Sequence, residues 1–432
     1  MSTYYVATAA SSPAGNDANA GTIGAPWLTL AKATATATSG DTVYLRSGTW
    51  NEALNLSYKS YASTVTYARY PSDTVGTAIL DGTGIDLDPY EEGVVWIKGT
   101  NNVTINGLKI INSGHTGICI LSATNTDIRN CITDTTARAG IASWSATNLV
   151  VYGNTIYNSN MPAGSDEIIS IAYGSTNVEV SYNTLYAGNR TIGATGGEGL
   201  NIKDGASYVY VHHNTIDLTR ADAQNSDRYG LGVDAFSNET HHIYFYDNSV
   251  TMARDGIIVE SEEGGLCHDI WVYNNLVYDN NRSGLRLPGD WGGSPGVKQN
   301  VYFYHNTVDG NPYGAYCNTT TALLSGDIIF RNNIFSNCST AATEWGSAGA
   351  DITADHNLTS GDPAFTNRTT HDFHLTGGST LAVDQGVSVS GGRTSYGVEL
   401  DYDGDPRPQG GGFDLGAFEL GAPIGTPVLT VR

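Results

Sequence analysis

Charge is scarce in this 432-residue chain: charged residues make up 15%, and only six of them are lysines. The balance is lopsided, with 21 Lys+Arg against 43 Asp+Glu for a formal net charge of -22. A surface so acidic argues against nucleic acid as a partner and favours solubility and cation binding. Long apolar runs are missing, so no segment reads as a membrane span. The opening Met1-Ser-Thr-Tyr-Tyr is not that of a signal peptide. Cysteine is sparse, odd in number (five) and without metal-site spacing, which leaves no disulfide framework. Cys317 and Cys338 are the one conceivable pair, and buried free thiols are expected instead. Low-complexity linkers and abrupt shifts in composition are also lacking, so one elongated domain is expected rather than the three that length alone would suggest.

What is present is a repeat. Asn154, Asn183, Asn214, Asn248, Asn275, Asn306, Asn333 and Asn357 are spaced by 29, 31, 34, 27, 31, 27 and 24 residues, and Leu108 and Cys131 take the same slot two repeats earlier. Each Asn follows a short alternating strand, such as Val209-Tyr-Val211 before Asn214. A long period with period-2 alternation inside it specifies a solenoid of strands, one coil per repeat. Asn tolerates left-handed backbone and can hydrogen-bond its equivalents above and below, so each is expected to mark a tight turn. The fold class is all-β, a β-helix. Abundant Gly (52) and Tyr (26) suit strands joined by polar turns.

Residues 1–50 read as a cap, with a strand at Tyr4-Tyr-Val6 and a short amphipathic helix from Pro26; Gly40 to Trp50 reads as a strand ending in a turn. Coils occupy 51–365, the first one or two irregular, and 366–432 closes the chain. Caps protect the open ends of a solenoid.

The opening, with Gly15-Asn-Asp17, Pro26-Trp27 and Gly40-Asp-Thr-Val-Tyr-Leu-Arg46, resembles the N-terminal cap of secreted bacterial right-handed parallel β-helix proteins of the polysaccharide lyase, or pectate-lyase-like, superfamily. The ending Asp403-Gly, Arg407 and Asp414-Leu-Gly-Ala-Phe-Glu419 resembles their last turn. The resemblance implies a right-handed parallel β-helix of about a dozen coils with an N-terminal capping helix. It also implies a monomer that is secreted or held at a bacterial cell surface and acts on polysaccharide. Lyases, glycoside hydrolases, uronan epimerases and phage tailspikes share that fold, so the fold does not fix the reaction.

One strand per coil opens with Gly, as in Gly199-Leu-Asn-Ile-Lys-Asp204, Gly230-Leu-Gly-Val-Asp234, Gly256-Ile-Ile-Val-Glu260 and Gly284-Leu-Arg-Leu287. Alternation turns Leu200, Ile202, Val233 and Val259 inward. Lys203, Asp234 and Glu260 then form an outward, solvent-facing column on successive coils. Asn201, Gly232, Ile258 and Arg286 form the column beside it. The longest insertions flank this face and would wall a cleft. Lys203, Arg220, Arg228, Arg254, Arg282, Arg286 and Lys298 gather here, seven of the 21 basic residues, which is the local patch a polyanion needs.

Eliminative cleavage of a uronan requires the sugar carboxylate neutralised and a base for the adjacent proton. Calcium held by carboxylates does the first. Asp234, Glu260 and Glu262 are the expected metal ligands, with Asp204 and Glu263 nearby, and Lys203 the base. Arg286 completes the catalytic set, and Asn201, Arg228, Arg282 and Trp291 are expected to bind the substrate. The scheme needs the cation in place, because bare carboxylates would raise the lysine pKa. Among known families the arrangement is similar to pectate lyases with a lysine base, without their clustered aspartates. Two alternatives use the same face: a glycoside hydrolase with Asp234 and Glu260 as its pair, and a uronan C5-epimerase. A third is non-catalytic, a carbohydrate-binding module or phage fibre part, with the column a mere ladder of ion pairs. The tyrosine and tryptophan stripe (Tyr210, Tyr244, Trp271, Tyr302) is read as cross-strand packing, and the histidines near strand ends as structural. The Asp401/Asp403/Asp405 run is read as a tail cap.

Overall fold

The computed structural model describes residues 1–88, 92–159, 167–188, 197–220, 229–289, 293–389 and 398–421. The chain is a right-handed parallel β-helix, with three parallel sheets built up coil by coil. It divides into two compact units, Met1–Tyr210 with Asn214–Arg228, and Val211–His213 with Tyr229–Arg432.

The first unit begins with the strand Thr3–Val6, which pairs with Thr42–Leu45. The cap helix lies at Leu30–Thr36, starting four residues later than Pro26. Thr29 caps it through its side chain, accepting from Lys32 N, and Thr29 is itself fixed by Asp17. Gly40 to Trp50 holds two strands, Thr42–Leu45 and Gly48–Trp50, instead of one. A bend at Arg46-Ser47, held by Asp73, separates them.

Coil spacing follows from the Asn ladder. In the first unit Asn154 Oδ1 accepts from Cys131 N, Asn183 Oδ1 from Asn154 N, and Asn214 Oδ1 from Asn183 N, each at 2.9 Å. The second unit repeats the pattern from Asn248 through Asn275, Asn306 and Asn333 to Asn357. The left-handed residue is the one before the ladder Asn, not the Asn itself: Tyr182, His213, Asp247, Asn274, His305, Asn332 and His356 all have φ between 49° and 60°. The tight turn is spent on that neighbour, which leaves the ladder amide free to bridge coils. Three of the histidines thus hold turn positions that His, like Asn and Asp, tolerates.

The inward residues are as alternation predicts: Leu200, Ile202, Val233 and Val259 are all fully buried. Each contributes roughly 1.5–3 kcal/mol by leaving water. The aromatic stripe packs against itself in the second unit, with Tyr244 and Trp271 stacked at 4.7 Å and Trp271 and Tyr302 at 5.5 Å. Stacked rings offer edges, not faces, to solvent. None of the five cysteines forms a disulfide. The tail packs onto the second unit: Phe373, Ala417 and Phe418 cluster with Leu276, and Leu375, Ala382 and Leu415 with Ile334 and Leu358. Asp401 Oδ1 accepts from Asp403 N and Asp405 N and its Oδ2 from Glu419 N, so the aspartate run is a turn device.

Candidate functional site

Four parallel strands of the second unit carry the site: Tyr229–Asp234, Asp255–Glu260, Ser283–Arg286 and Tyr313–Tyr316. Their register puts Asp234 opposite Glu260, and Ile258 opposite Arg286, which in turn faces Tyr316. Neighbouring strands are about 4.8 Å apart.

Asp234, Glu260 and Glu262 each offer a carboxylate oxygen, and the three oxygens lie within 4.8 Å of one another. Among the described residues this is the one such group of His, Cys, Asp or Glu able to hold a metal ion. The donor set is all oxygen and formally triply negative, which fits a hard cation such as calcium. Like charges this close repel unless a cation or protons intervene.

Local backbone builds the cluster. Asp234 Oδ1 accepts from Phe236 N at 2.7 Å and from Glu262 N at 3.1 Å, so the turn after one strand and the start of the turn after the next converge on one oxygen. Glu263 N and Gly265 N donate back to Phe236 O. Ser294 N and Gly296 N then bond the carbonyls of Glu262 and Ser261, laying a further segment beside the turn.

This covering corrects the expectation of a solvent-facing column. Asp234 is 0% exposed, Glu260 1% and Arg286 1%, and only Glu262 is partly open. Lys298 is fully buried too, its Nζ donating to Pro288 O at 2.8 Å. Burial pushes the Cys267 thiol well up; Lys298 opposes the shift, while Asp234 and Glu260 add to it. Lys298 therefore shares a buried region with the two acids and is no part of a surface patch.

Arg286 has a partner that alternation hid. Its Nη1 lies 2.9 Å from Asp255 Oδ2, and Arg282 grips the same carboxylate through Nε at 2.8 Å and through Nη2. Arg254 Nε stands 3.7 Å away. Burial pushes Asp255 up from the ordinary carboxylate range, and the bonds from Arg282 and Ser283 pull it back. Tyr316 lies under both arginines, 5.8 Å from Arg286 and 6.0 Å from Arg282, and stacks on Tyr313 at 4.8 Å. Alternation does not place Asp255 because it fails at Gly256 within the strand: a Cβ there would meet Val277 Cγ1 at 2.2 Å, so Gly256 faces the core ahead of Ile257 and the parity slips.

Lys203 ends the strand Glu198–Lys203 of the first unit and is partly exposed. Asn201 is fully buried rather than open, donating to Glu198 Oε2 at 2.9 Å. Arg228 and Trp291 lie outside the described residues, as does the side chain of Arg220.

Comparison with known proteins fits this architecture. Residues 4–167 match the family model described as "Pel9A-like, right handed beta helix region", and 92–261 match "Right handed beta helix region". The chain is 25% identical over 348 residues to the uncharacterized protein YwoF of Bacillus subtilis (strain 168), covering 74% of this chain and 68% of that protein. It is 24% identical over 365 residues to pectate lyase PEL9 of Emericella nidulans, covering 73% of this chain and 87% of the other. Among solved structures, pectate lyase Pel9A superposes with a TM-score of 0.57 at 14% identity over 97% of this chain and 96% of that one. An endo-xylogalacturonan hydrolase from Aspergillus tubingensis gives 0.53 at 12% identity over 87% and 98%. The A-module of a mannuronan C-5 epimerase from Azotobacter vinelandii gives 0.52 at 14% over 76% and 93%. At such identities the structural likeness establishes the fold alone, one that lyases, hydrolases and epimerases share.

Proposed function

We propose that this chain, which belongs to the right-handed β-helix proteins and is Pel9A-like over residues 4–167, is a polysaccharide lyase. It would cleave a uronate-containing polysaccharide by calcium-assisted β-elimination, outside the cell or at its surface. The observation that carries the reading is the carboxylate trio of Asp234, Glu260 and Glu262, with an all-oxygen donor set sized for one cation. Distant likeness to pectate lyase PEL9 supports the same reaction class.

In this reading Asp234, Glu260 and Glu262 would hold calcium, which would supply the positive charge that a sugar carboxylate needs before its neighbouring C5 proton becomes acidic. Asp234 keeps its carboxylate aimed by accepting from two backbone N–H groups. Arg282, with a partly exposed side chain, is the cation best placed to meet a substrate carboxylate, and Arg286, buried on Asp255, holds that end of the strands in position. Lys203 is the base: its Nζ takes the C5 proton, the electron pair forms the C4–C5 double bond, and the O4 glycosidic oxygen leaves with its bonding pair and is protonated by water. The part of Lys203 rests on its outward slot in the repeat.

A hydrolase using Asp234 and Glu260 fits less well. Both acids are buried, and a retaining pair must flank a scissile bond at about 5–5.5 Å with access for the sugar. Ultraviolet absorbance of an unsaturated product on uronan polymers, with calcium and with chelator, tests the proposal. New reducing ends without that absorbance would refute it in favour of hydrolysis.

A further inference from the structure

The geometry points to a second functional surface in the first unit: a track for an extended acidic glycan chain, with Trp144 and Tyr173 as its stacking platform. This deepens the lyase reading, on which its substrate class rests, by naming where the polymer lies away from the reacting unit.

The track follows from register. Lys98 pairs with Leu121, Leu121 with Trp144, and Trp144 with Ala172. The next pairing runs from Ile171 to Ile202 at the same offset, so Lys203 follows Ala172 in the column. Four steps of about 4.8 Å make a row of roughly 19 Å, a length filled by an oligosaccharide and not by one sugar. The parallel column two residues back is Trp96, Cys119, Ala142, Ser170 and Asn201. Neither column contains a carboxylate, in a chain with 43 acidic residues. Of the acids at its border, Glu198 is buried on Asn201 and Asp204, after Lys203, is buried as well, while Glu167, paired with Glu198, is half-buried.

Lysines mark the row. Three of the chain's six lie on or beside it: Lys98, Lys203, and Lys59, whose turn is tied to the Lys98 strand through Tyr58 N and Lys98 O. Lys98 also sits 5.7 Å over the Trp96 ring. Charge on the row is thus complementary to an acidic polymer and opposite to the protein's own.

Exposed aromatic side chains supply the independent observation. The residue after the column is left-handed in successive coils, at Gly99, Ser122, Ser145, Tyr173 and Asp204. Gly, Ser and Asp are small or can bond locally in such a slot, whereas Tyr173 (φ 49°) is bulky and the residue is 59% exposed. Tyr58, 72% exposed at φ 55°, repeats the anomaly at the far end of the row. A left-handed aromatic costs on the order of 1–2 kcal/mol, and exposed rings recover little of it by burial. Tyr182 and Tyr208 share that backbone elsewhere in the unit with 40% and 44% exposure, so what sets Tyr173 and Tyr58 apart is their greater exposure beside the lysine row. Trp144, half-buried, meets Tyr173 edge to face at 6.2 Å with 75° between planes. Unlike the parallel stacks of the second unit, this arrangement leaves the Tyr173 face open to a pyranose ring.

Affinity electrophoresis through gels containing polygalacturonate, alginate or a neutral glucan tests the track, with chelator present so that the lyase is silent. The expected result is retardation by an acidic polymer, with affinity lowered roughly five- to ten-fold in Tyr173→Asn and in Trp144→Ala. Asn accepts the left-handed slot, so Tyr173→Asn should keep or raise the melting temperature, and weaker binding cannot then be ascribed to misfolding. Unchanged retardation of both variants overturns the track, whatever the lyase assay shows. So does wild-type protein that no polymer retards. Retardation that these variants lose, in a protein that yields no unsaturated product, upholds the track and sinks the lyase reading alone.

Discussion

Asp234 and Glu260 face each other directly across two paired strands, both essentially without solvent exposure, and Glu262 closes the group within 4.8 Å. Opposed like charges destabilise a sheet. A cation bound here should therefore stabilise the fold. Calcium at about 100 times its dissociation constant is expected to add roughly 2.7 kcal/mol. The melting temperature should rise with calcium in the wild type and not in Glu260→Gln, which thermal unfolding with and without chelator measures. An equal calcium response in the variant would remove the trio as the site.

The Asn ladder makes a separate prediction. Asn275 Nδ2 donates to Phe245 O, Tyr273 O and Asn306 Oδ1, and its Oδ1 accepts from Asn248 N. Asn275→Ala strands several buried groups at once and should cost roughly 2–4 kcal/mol in urea unfolding. A loss below about 0.5 kcal/mol, the scale of an ordinary surface change, would contradict the ladder's structural role.

The tail is pinned by a buried ion pair. Arg407 Nη1 lies 2.6 Å from Glu419 Oε1, with both side chains fully enclosed, and Arg407 Nη2 donates to Gly416 O at 2.9 Å. Removing one member leaves the other charge uncompensated. Arg407→Ala should destabilise by about 3–5 kcal/mol, and limited proteolysis should then cut first within 398–421. Wild-type protease resistance would show the clasp to be dispensable.

Two histidines set opposite ends of a pH window. The hydrogen bond that His374 donates to Asp403 raises its pKa to about 9, burial opposes the shift, and Asp372 reinforces it. A raised folded-state value stabilises fully below the unfolded value near 6.5, and that stability is lost as pH climbs through about 9. Burial, with His212 beside it, lowers His213 to about 4. The unfolded chain then binds the proton first, so stability declines as pH falls from about 6.5 toward 4. Melting temperature against pH should show His374→Gln losing the alkaline decline only. A variant curve parallel to wild type above pH 7 would contradict the assignment.

Much of this was legible in the sequence, for a physical reason: a solenoid writes its period into the chain. Spacing of the ladder Asn, the inward set of Leu200, Ile202, Val233 and Val259, and the adjacency of Asp234 and Glu260 all follow from alternation and repeat length. What alternation cannot carry is a break in parity or a covering. Asp255 stayed hidden because Gly256 and Ile257 both face inward, which breaks parity just where Arg282 and Arg286 find their partner. Burial of the acidic pair depends on turns 261–265 and 293–296 meeting by backbone bonds between residues far apart in the chain. Alternation does not single out Trp144 or Tyr173, because what marks them is the exposure of their side chains, which composition does not disclose.

The most direct test of the central claim is ultraviolet absorbance of the unsaturated product on polygalacturonate and alginate, run with calcium and with chelator on wild type, Lys203→Ala and Glu260→Gln. The account predicts a calcium-dependent rise on at least one uronan, abolished in Lys203→Ala and strongly reduced in Glu260→Gln. A rise that persists in chelator, or survives in Lys203→Ala, would contradict it.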